Sequence, residues 1–214
     1  MLDKLPPPLE ANLFTPDERI SYETRANHPY SAAIEYATEH LGEGHGRLLL
    51  VVGSAPAEAD AMAHLGWAVT LLDCRHINHP AWVQGDAMHM PFEDARFDAI
   101  TSTCVLCHVG LGRYSDPIEE RGDAKMMQEC DRVLKPGGIA CLMPGPVISG
   151  DPIALGSVHR ITTLDAMWAL SAYWFRTVGR RVFQASSQGW LPPGEAITTD
   201  WEHPDYLCVK LEKA

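Results

Sequence analysis

Three stretches of this sequence hold residues whose types and spacing could do chemistry. Cys104, Cys107 and His108 spell C-x-x-C-H, the spacing that attaches c-type haem and, in a repeated form, holds structural zinc. Asp73 falls 20 residues after Gly53, the interval at which a carboxylate beyond a glycine turn can accept both hydrogen bonds of a ribose diol. Gly110-Leu111-Gly112-Arg113-Tyr114-Ser115-Asp116-Pro117 sets a cation, an aromatic ring and a carboxylate on a glycine-punctuated loop.

The haem and zinc readings need partners that the sequence does not supply. Covalent haem is attached outside the cytoplasm, and the N-terminus MLDKLPPPLEANLF carries no apolar run of the length a signal peptide or a membrane span needs. Zinc would call for a second ligand pair, and C-x-x-C occurs once. Neither haem nor a metal is expected. The six cysteines at 74, 104, 107, 130, 141 and 208 stand mostly in apolar company. In a reducing compartment they read as buried thiols, and the expected location is the cytoplasm.

At 214 residues with 46% hydrophobic content the chain is long enough to bury a sizeable core. The net charge of −11 sets it against phosphate backbones and anionic lipid surfaces. Nucleic acid and membrane are therefore excluded as expected partners, which leaves small molecules.

The elements that must position these residues alternate. Residues 1–27 read as an irregular arm, stiffened by Pro6-Pro7-Pro8, and residues 28–214 as one domain. Ser31 to Leu41 is helical, with Ala33, Ile34, Ala37 and Leu41 on one face. Leu48 to Val52 is a short, wholly apolar strand, as in a parallel sheet buried on both faces. A helix over 56–65, a strand over 68–72 ending in Asp73, a strand over 82–84 ending at Gly85-Asp86 and a strand over 97–102 follow. A helix over 123–134, a sharp turn at Lys135-Pro136-Gly137-Gly138 and a strand over 139–143 come next. Beyond 150 a helix from Thr162 to about Arg176 and strands near 182–184 and 206–211 complete the pattern. Alternation with short links predicts a doubly wound, mainly parallel α/β sheet with helices on both faces.

In such a sheet ligands sit at the carboxyl ends of the strands. The strands deliver Gly53-Ser54-Ala55, then Asp73, then Asp86, then Thr103 through His108. Asp86 is placed to accept from the exocyclic amine of an adenine. Glu58 and Asp60 suit the start of a helix but repel a pyrophosphate. With no G-x-G-x-x-G, this argues against a nicotinamide cofactor.

The order of blocks is specific. After the apolar strand come Asp73, Gly85-Asp86-Ala87, Met90-Pro91-Phe92, Phe97-Asp98-Ala99-Ile100 and Arg132-Val133-Leu134-Lys135-Pro136-Gly137-Gly138. Over residues 47–145 this resembles a class I S-adenosylmethionine-dependent methyltransferase. The loop at 110–117 resembles a little-characterised methyltransferase-like domain family with G-L-G-R-Y-x-D-P after its fourth strand. One block departs from the pattern. The first loop reads Val51-Val52-Gly53-Ser54-Ala55-Pro56-Ala57, without the acidic residue and with two glycines replaced.

The resemblance implies a Rossmann-like methyltransferase fold of seven strands with the last antiparallel. It implies S-adenosylmethionine held by Gly53, Ser54, Ala55, Asp73, Cys74, Asp86, Ala87 and Thr103. It implies methyl transfer to an oxygen or nitrogen of a small-molecule acceptor, and leaves a homodimer open. His108, Arg113, Tyr114 and Asp116 are the candidate catalytic residues. His108 reads as a general base, because an imidazole titrates near neutral pH, or as a hydrogen-bonded loop residue. Arg113 reads as an acceptor clamp or as half of an Arg–Asp pair within the loop. Cys104 and Cys107 read as small packing residues. A methyltransferase-like module that binds without catalysing, its first loop degenerate, is the alternative.

Overall fold

A computed structural model of the chain describes residues 29–53, 56–149, 153–155, 159–183, 185–186, 189–190 and 205–213. The arm expected over 1–27, and Ser54 and Ala55 of the first loop, lie outside the described residues. Helix α1 (Pro29–Leu41) leads into β1 (Leu48–Val52), α2 (Pro56–His64), β2 (Ala68–Asp73), β3 (Trp82–Gln84) and β4 (Phe97–Thr103). Then come α3 (Gly122–Val133), β5 (Leu134–Met143), β6 (Pro146–Ile148), β7 (Ile153–Leu155), β8 (His159–Thr163) and α4 (Leu164–Ser171). Strands β9 (Phe175–Phe183), β10 (Ala185–Ser186), β11 (Gly189–Trp190) and β12 (Asp205–Lys213) close the described chain.

The main sheet runs β3-β2-β1-β4-β5-β12, with β9 on the far side of β12. Strands β3 to β5 are parallel, and β12 is antiparallel to both β5 and β9. These are the seven expected strands. Three short ones, β6, β8 and β7, extend the sheet to ten. The chain winds outward from β1 to β3 and then starts again at β4, so the topological switch lies between β1 and β4.

Side-chain alternation along each strand builds two cores. Leu49, Val51, Leu71, Ala99 and Cys141 join one cluster with Tyr36 of α1 and Met62 of α2. Their neighbours Leu50, Val52, Leu72, Ile100 and Ala140 join the other with Met126 and Cys130 of α3 and Met167 of α4. Five consecutive apolar residues in β1 are thus all used, because both faces of that strand are covered.

The two specific sequence blocks turn out to be ties between elements. Asp98 accepts from the Leu48 backbone N–H at 2.9 Å and from Lys135 Nζ at 2.7 Å, so the starts of β1, β4 and β5 meet at one carboxylate. Burial alone would raise its pKa, but the Lys135 ammonium and the Leu48 amide hold it below the usual carboxylate value. Arg132 donates to the carbonyls of Met90 at 2.9 Å and Phe92 at 2.7 Å, and Glu129 accepts from the Met90 N–H at 2.7 Å. Helix α3 thereby clamps the Met90-Pro91-Phe92 turn behind β3.

Two expected boundaries move. The turn expected at Lys135–Gly138 falls inside β5, which starts at Leu134 because Leu134 pairs with Phe97 before the register shifts, with Gly137 at φ +73°. The helix expected to reach Arg176 stops at Ser171, and Phe175–Phe183 pairs along β12 as a strand.

Candidate active site

A cleft of about 540 Å³, its solvent-open mouth included, lies at the carboxyl ends of β1, β2, β3 and β4. The strand register sets it. Val52 pairs with both Leu72 and Ser102, and Asp73 pairs with Gln84. The chain therefore leaves these strands at nearly one level, bringing Gly53, Asp73 and Asp86 together. Gly53 sits at φ +93°, and a Cβ there would lie 2.3 Å from Val105 Cγ2. Only glycine passes beneath that valine.

Asp73 is 5% exposed and heavily bonded. Its Oδ1 accepts from the Arg75 backbone N–H at 2.8 Å and from Arg75 Nε at 3.0 Å, and its Oδ2 accepts from Arg75 Nη2 at 2.9 Å. The guanidinium lies 4.0 Å from the centre of the Tyr114 ring. Arg75 itself lines the cavity. Sequence reasoning missed it, and the available signal was an arginine two residues beyond a pocket carboxylate. Cys74 lines the wall beside it, and burial and the Asp73 charge push its thiol up to about 11. The neutral thiol is a poor nucleophile and a poor metal ligand. Asp86 Oδ1 accepts from the Met88 N–H at 2.8 Å, while Oδ2 stands 3.8 Å from His89 Nδ1. That carboxylate keeps acceptor capacity toward the cavity, which Ala87 also lines.

The opposite wall is Val105, His108, Val109, Tyr114 and Asp116. It hangs from a backbone that leaves β4 in left-handed conformation at Cys104, φ +56°, and returns to it at Gly110, Gly112 and Ser115. At Gly110 a Cβ would lie 2.7 Å from the Glu119 carbonyl and 2.9 Å from the Gly122 Cα. The loop presses on the start of α3, and only glycine fits. Asp116 holds the loop: its carboxylate accepts from the amides of Gly110 at 2.9 Å, Gly112 at 3.4 Å and Tyr114 at 3.1 Å. Arg160 of β8 braces it from outside, donating to the carbonyls of Leu106 at 3.2 Å and Val109 at 2.8 Å. His108 meets Tyr114 edge to face, with ring centroids 5.0 Å apart.

The C-x-x-C-H stretch separates here. His108 lines the cavity. Cys107 is buried, and its thiol donates to the Cys104 carbonyl at 3.1 Å. The hydrogen bond to Cys107 and burial push the Cys104 thiol well above its usual value. Among the described residues no three His, Cys, Asp or Glu side chains are grouped to hold a metal.

The cavity thus collects Gly53, Asp73, Cys74, Asp86 and Ala87 on one wall and His108, Tyr114 and Asp116 on the other. Of the expected residues that the structure describes, two are not among its lining. Thr103 is 2% exposed, and its hydroxyl donates to the buried Glu58 at 3.0 Å, tying β4 to α2. Arg113 stands outside, its guanidinium 5.4 Å from the Tyr114 ring centre. No Arg113–Asp116 pair forms among the described residues, because Asp116 is taken by backbone amides.

A seven-strand core in the order 3-2-1-4-5-7-6, counting β12 as seventh and β9 as sixth, with its cavity at the switch point, defines the class I methyltransferase fold. Residues 40–142 match a family described as a methyltransferase domain. A ubiquinone/menaquinone biosynthesis C-methyltransferase of Ruegeria sp. (strain TM1040) is 33% identical over 124 residues, 58% of this chain and 36% of that protein. The chain therefore spans about a third of that relative's length. The fold of the 1,6-didemethyltoxoflavin-N1-methyltransferase of Burkholderia thailandensis, solved with 1,6-didemethyltoxoflavin and S-adenosylhomocysteine, superposes with a TM-score of 0.64 at 16% identity, covering 97% of this chain and 94% of that one. The [4+2]-cyclase SpnF superposes with a TM-score of 0.60 at 18% identity, covering 86% of this chain and 80% of that one.

Among the described residues no helix is long and apolar enough to cross a membrane.

Proposed function

We infer that this chain binds S-adenosylmethionine against Gly53, Asp73, Cys74, Asp86 and Ala87, and transfers its methyl group to a small-molecule oxygen or nitrogen held by the loop from His108 to Asp116. The observation that carries this reading is the cavity itself. One wall offers two carboxylates, Asp73 and Asp86, and the facing wall offers an imidazole and a phenol ring. The donor set suits a nucleoside with hydroxyl and amine donors and a cationic sulfonium. It does not suit a diphosphate.

The cofactor supplies an already activated methyl group. What remains for the protein is placement, the dominant contribution when two reactants must meet in line. Asp73 and Asp86 orient the nucleoside by accepting hydrogen bonds. Val105 and Val109, each at most 8% exposed, exclude water from the space between the walls. His108 stands beside that space and takes the proton from an acceptor O–H or N–H. Asp116 acts indirectly, by fixing the backbone that carries Tyr114. The role of clamping an anionic acceptor belongs to Arg113 only if the loop turns it inward.

Turnover is read by following S-adenosylhomocysteine release across a panel of small hydroxylated and aminated acceptors. Once an acceptor is found, His108→Ala should abolish turnover and leave cofactor affinity within about threefold, under roughly 0.7 kcal/mol. Loss of cofactor binding in His108→Ala would make the residue structural. A second reading, a binding module without turnover, draws support from the altered first loop. Tight cofactor binding with no turnover on any acceptor would favour it.

A further inference from the structure

The bonds around Asp73 leave little room for a ribose. An ionised carboxylate has about four acceptor positions. Arg75 fills three of them, one with its backbone N–H and two with its guanidinium. A ribose diol that donates two hydrogen bonds to Asp73 cannot be added to these. If the guanidinium leaves and the backbone N–H stays, three positions open and the diol fits.

We propose that Arg75 is a latch on the ribose site, closed over Asp73 and Tyr114 in the free protein, and that the cofactor must displace its guanidinium to bind. The inference rests on the cofactor reading above. Arg75 is then a positioning residue that sets affinity and couples the two walls.

The local structure is built for a side-chain swing. The Arg75 backbone is pinned on both sides: its N–H to Asp73 Oδ1 at 2.8 Å, and its carbonyl as acceptor from Trp82 Nε1 at 3.1 Å. The guanidinium can leave by rotation about side-chain bonds alone, a fast motion. The side chain is 20% exposed, so there is water for it to enter. Its other face covers Tyr114 at 4.0 Å, a cation–π contact. Displacement therefore also uncovers the aromatic ring on the acceptor wall. Cofactor binding exposes the surface on which an acceptor would rest, which favours cofactor first and acceptor second.

The test is calorimetric titration of S-adenosylhomocysteine into wild type, Arg75→Ala and Arg75→Lys, with amide hydrogen exchange across residues 110–116 recorded without ligand. A latch that is closed most of the time lowers the apparent affinity by the open fraction. Arg75→Ala should thus bind tighter, by about five- to tenfold for a latch closed 80–90% of the time. Arg75→Lys, which cannot span both carboxylate oxygens, should fall between. Exchange at 110–116 should quicken in Arg75→Ala as the Tyr114 contact is lost. A merely structural arginine could not tighten a ligand when removed. Equal affinity in all three proteins would show that Arg75 and the diol share Asp73, and weaker binding in Arg75→Ala would make Arg75 a cofactor ligand. Either result overturns the latch and leaves the cofactor site standing. If no protein binds, the cofactor reading fails and the latch fails with it.

Discussion

The two walls of the cavity are built in opposite ways. The wall proposed to hold the cofactor is carried by strand ends. Gly53, Asp73 and Asp86 follow parallel strands whose register fixes their level, and both faces of β1 at their centre are buried. The acceptor wall is carried by a loop with four left-handed residues, Cys104, Gly110, Gly112 and Ser115, held by Asp116 and Arg160. One wall inherits its shape from the core. The other is anchored in the core at Val105, Leu106 and Val109 and owes the shape of its outer turn to a few polar contacts. Loops carry function because a rigid scaffold frees them to vary, and under the proposed function cofactor binding falls to the scaffold and acceptor choice to the loop.

The contrast can be broken most sharply at Asp116. Asp116→Ala leaves three loop amides without their acceptor. We expect a loss of about 3 kcal/mol and a melting temperature lower by roughly 6–12 °C, read by differential scanning calorimetry. Exchange should rise across 110–116 and stay unchanged in β1 and β2. A uniform rise would mean that the loop and the strands unfold as one unit.

A smaller effect is expected behind the cofactor wall at low pH. Burial raises the Glu129 pKa, but the Arg132 guanidinium and the Met90 N–H outweigh it and hold the carboxyl below its ordinary value of 4.5. Asp98 is held below its ordinary 3.8 by Lys135 and the Leu48 amide. A depressed carboxyl contributes stability that is present above its unfolded pKa and lost as pH falls through the folded one. Melting temperature should therefore be insensitive to these two groups above about pH 5 and fall below about pH 4.5. Glu129→Gln should lower the plateau and flatten the acid slope. A slope that Glu129→Gln leaves unchanged would remove Glu129 from the account.

The smallest effect is expected at Cys107. A serine hydroxyl can still donate to the Cys104 carbonyl. Cys107→Ser should cost under about 1.5 kcal/mol, in the range of conservative core changes. Elemental analysis and the visible spectrum should be the same before and after, with no stoichiometric zinc and no Soret band. One zinc per chain, lost on the substitution, would contradict this.

The same two-wall difference explains what the sequence disclosed. Strand β1 was legible because a strand buried on both faces must be a short apolar run, and Asp73 and Asp86 follow from where the next two strands, β2 and β3, end. The blocks at 97–100 and 132–138 were legible as a pattern, but not as ties, since the Asp98–Lys135 and Arg132–Met90 contacts join residues about 40 apart. The helix to Arg176 was overestimated because pairing with β12 overrides local preference over 175–183. Arg75 was missed because its place two residues beyond Asp73 does not by itself say that the side chain folds back, which is a matter of torsion angles. Asp116 looked like a partner for Arg113, and its true partners are backbone amides, which no side-chain pattern reports.

Calorimetric titration of S-adenosylhomocysteine into wild type and Asp73→Ala tests the central claim most directly. The account predicts measurable binding to wild type and a loss of about 1–3 kcal/mol in the variant, roughly five- to 150-fold, with both proteins folded by circular dichroism. No heat with wild type at millimolar ligand, or equal affinity in the two proteins, would contradict it.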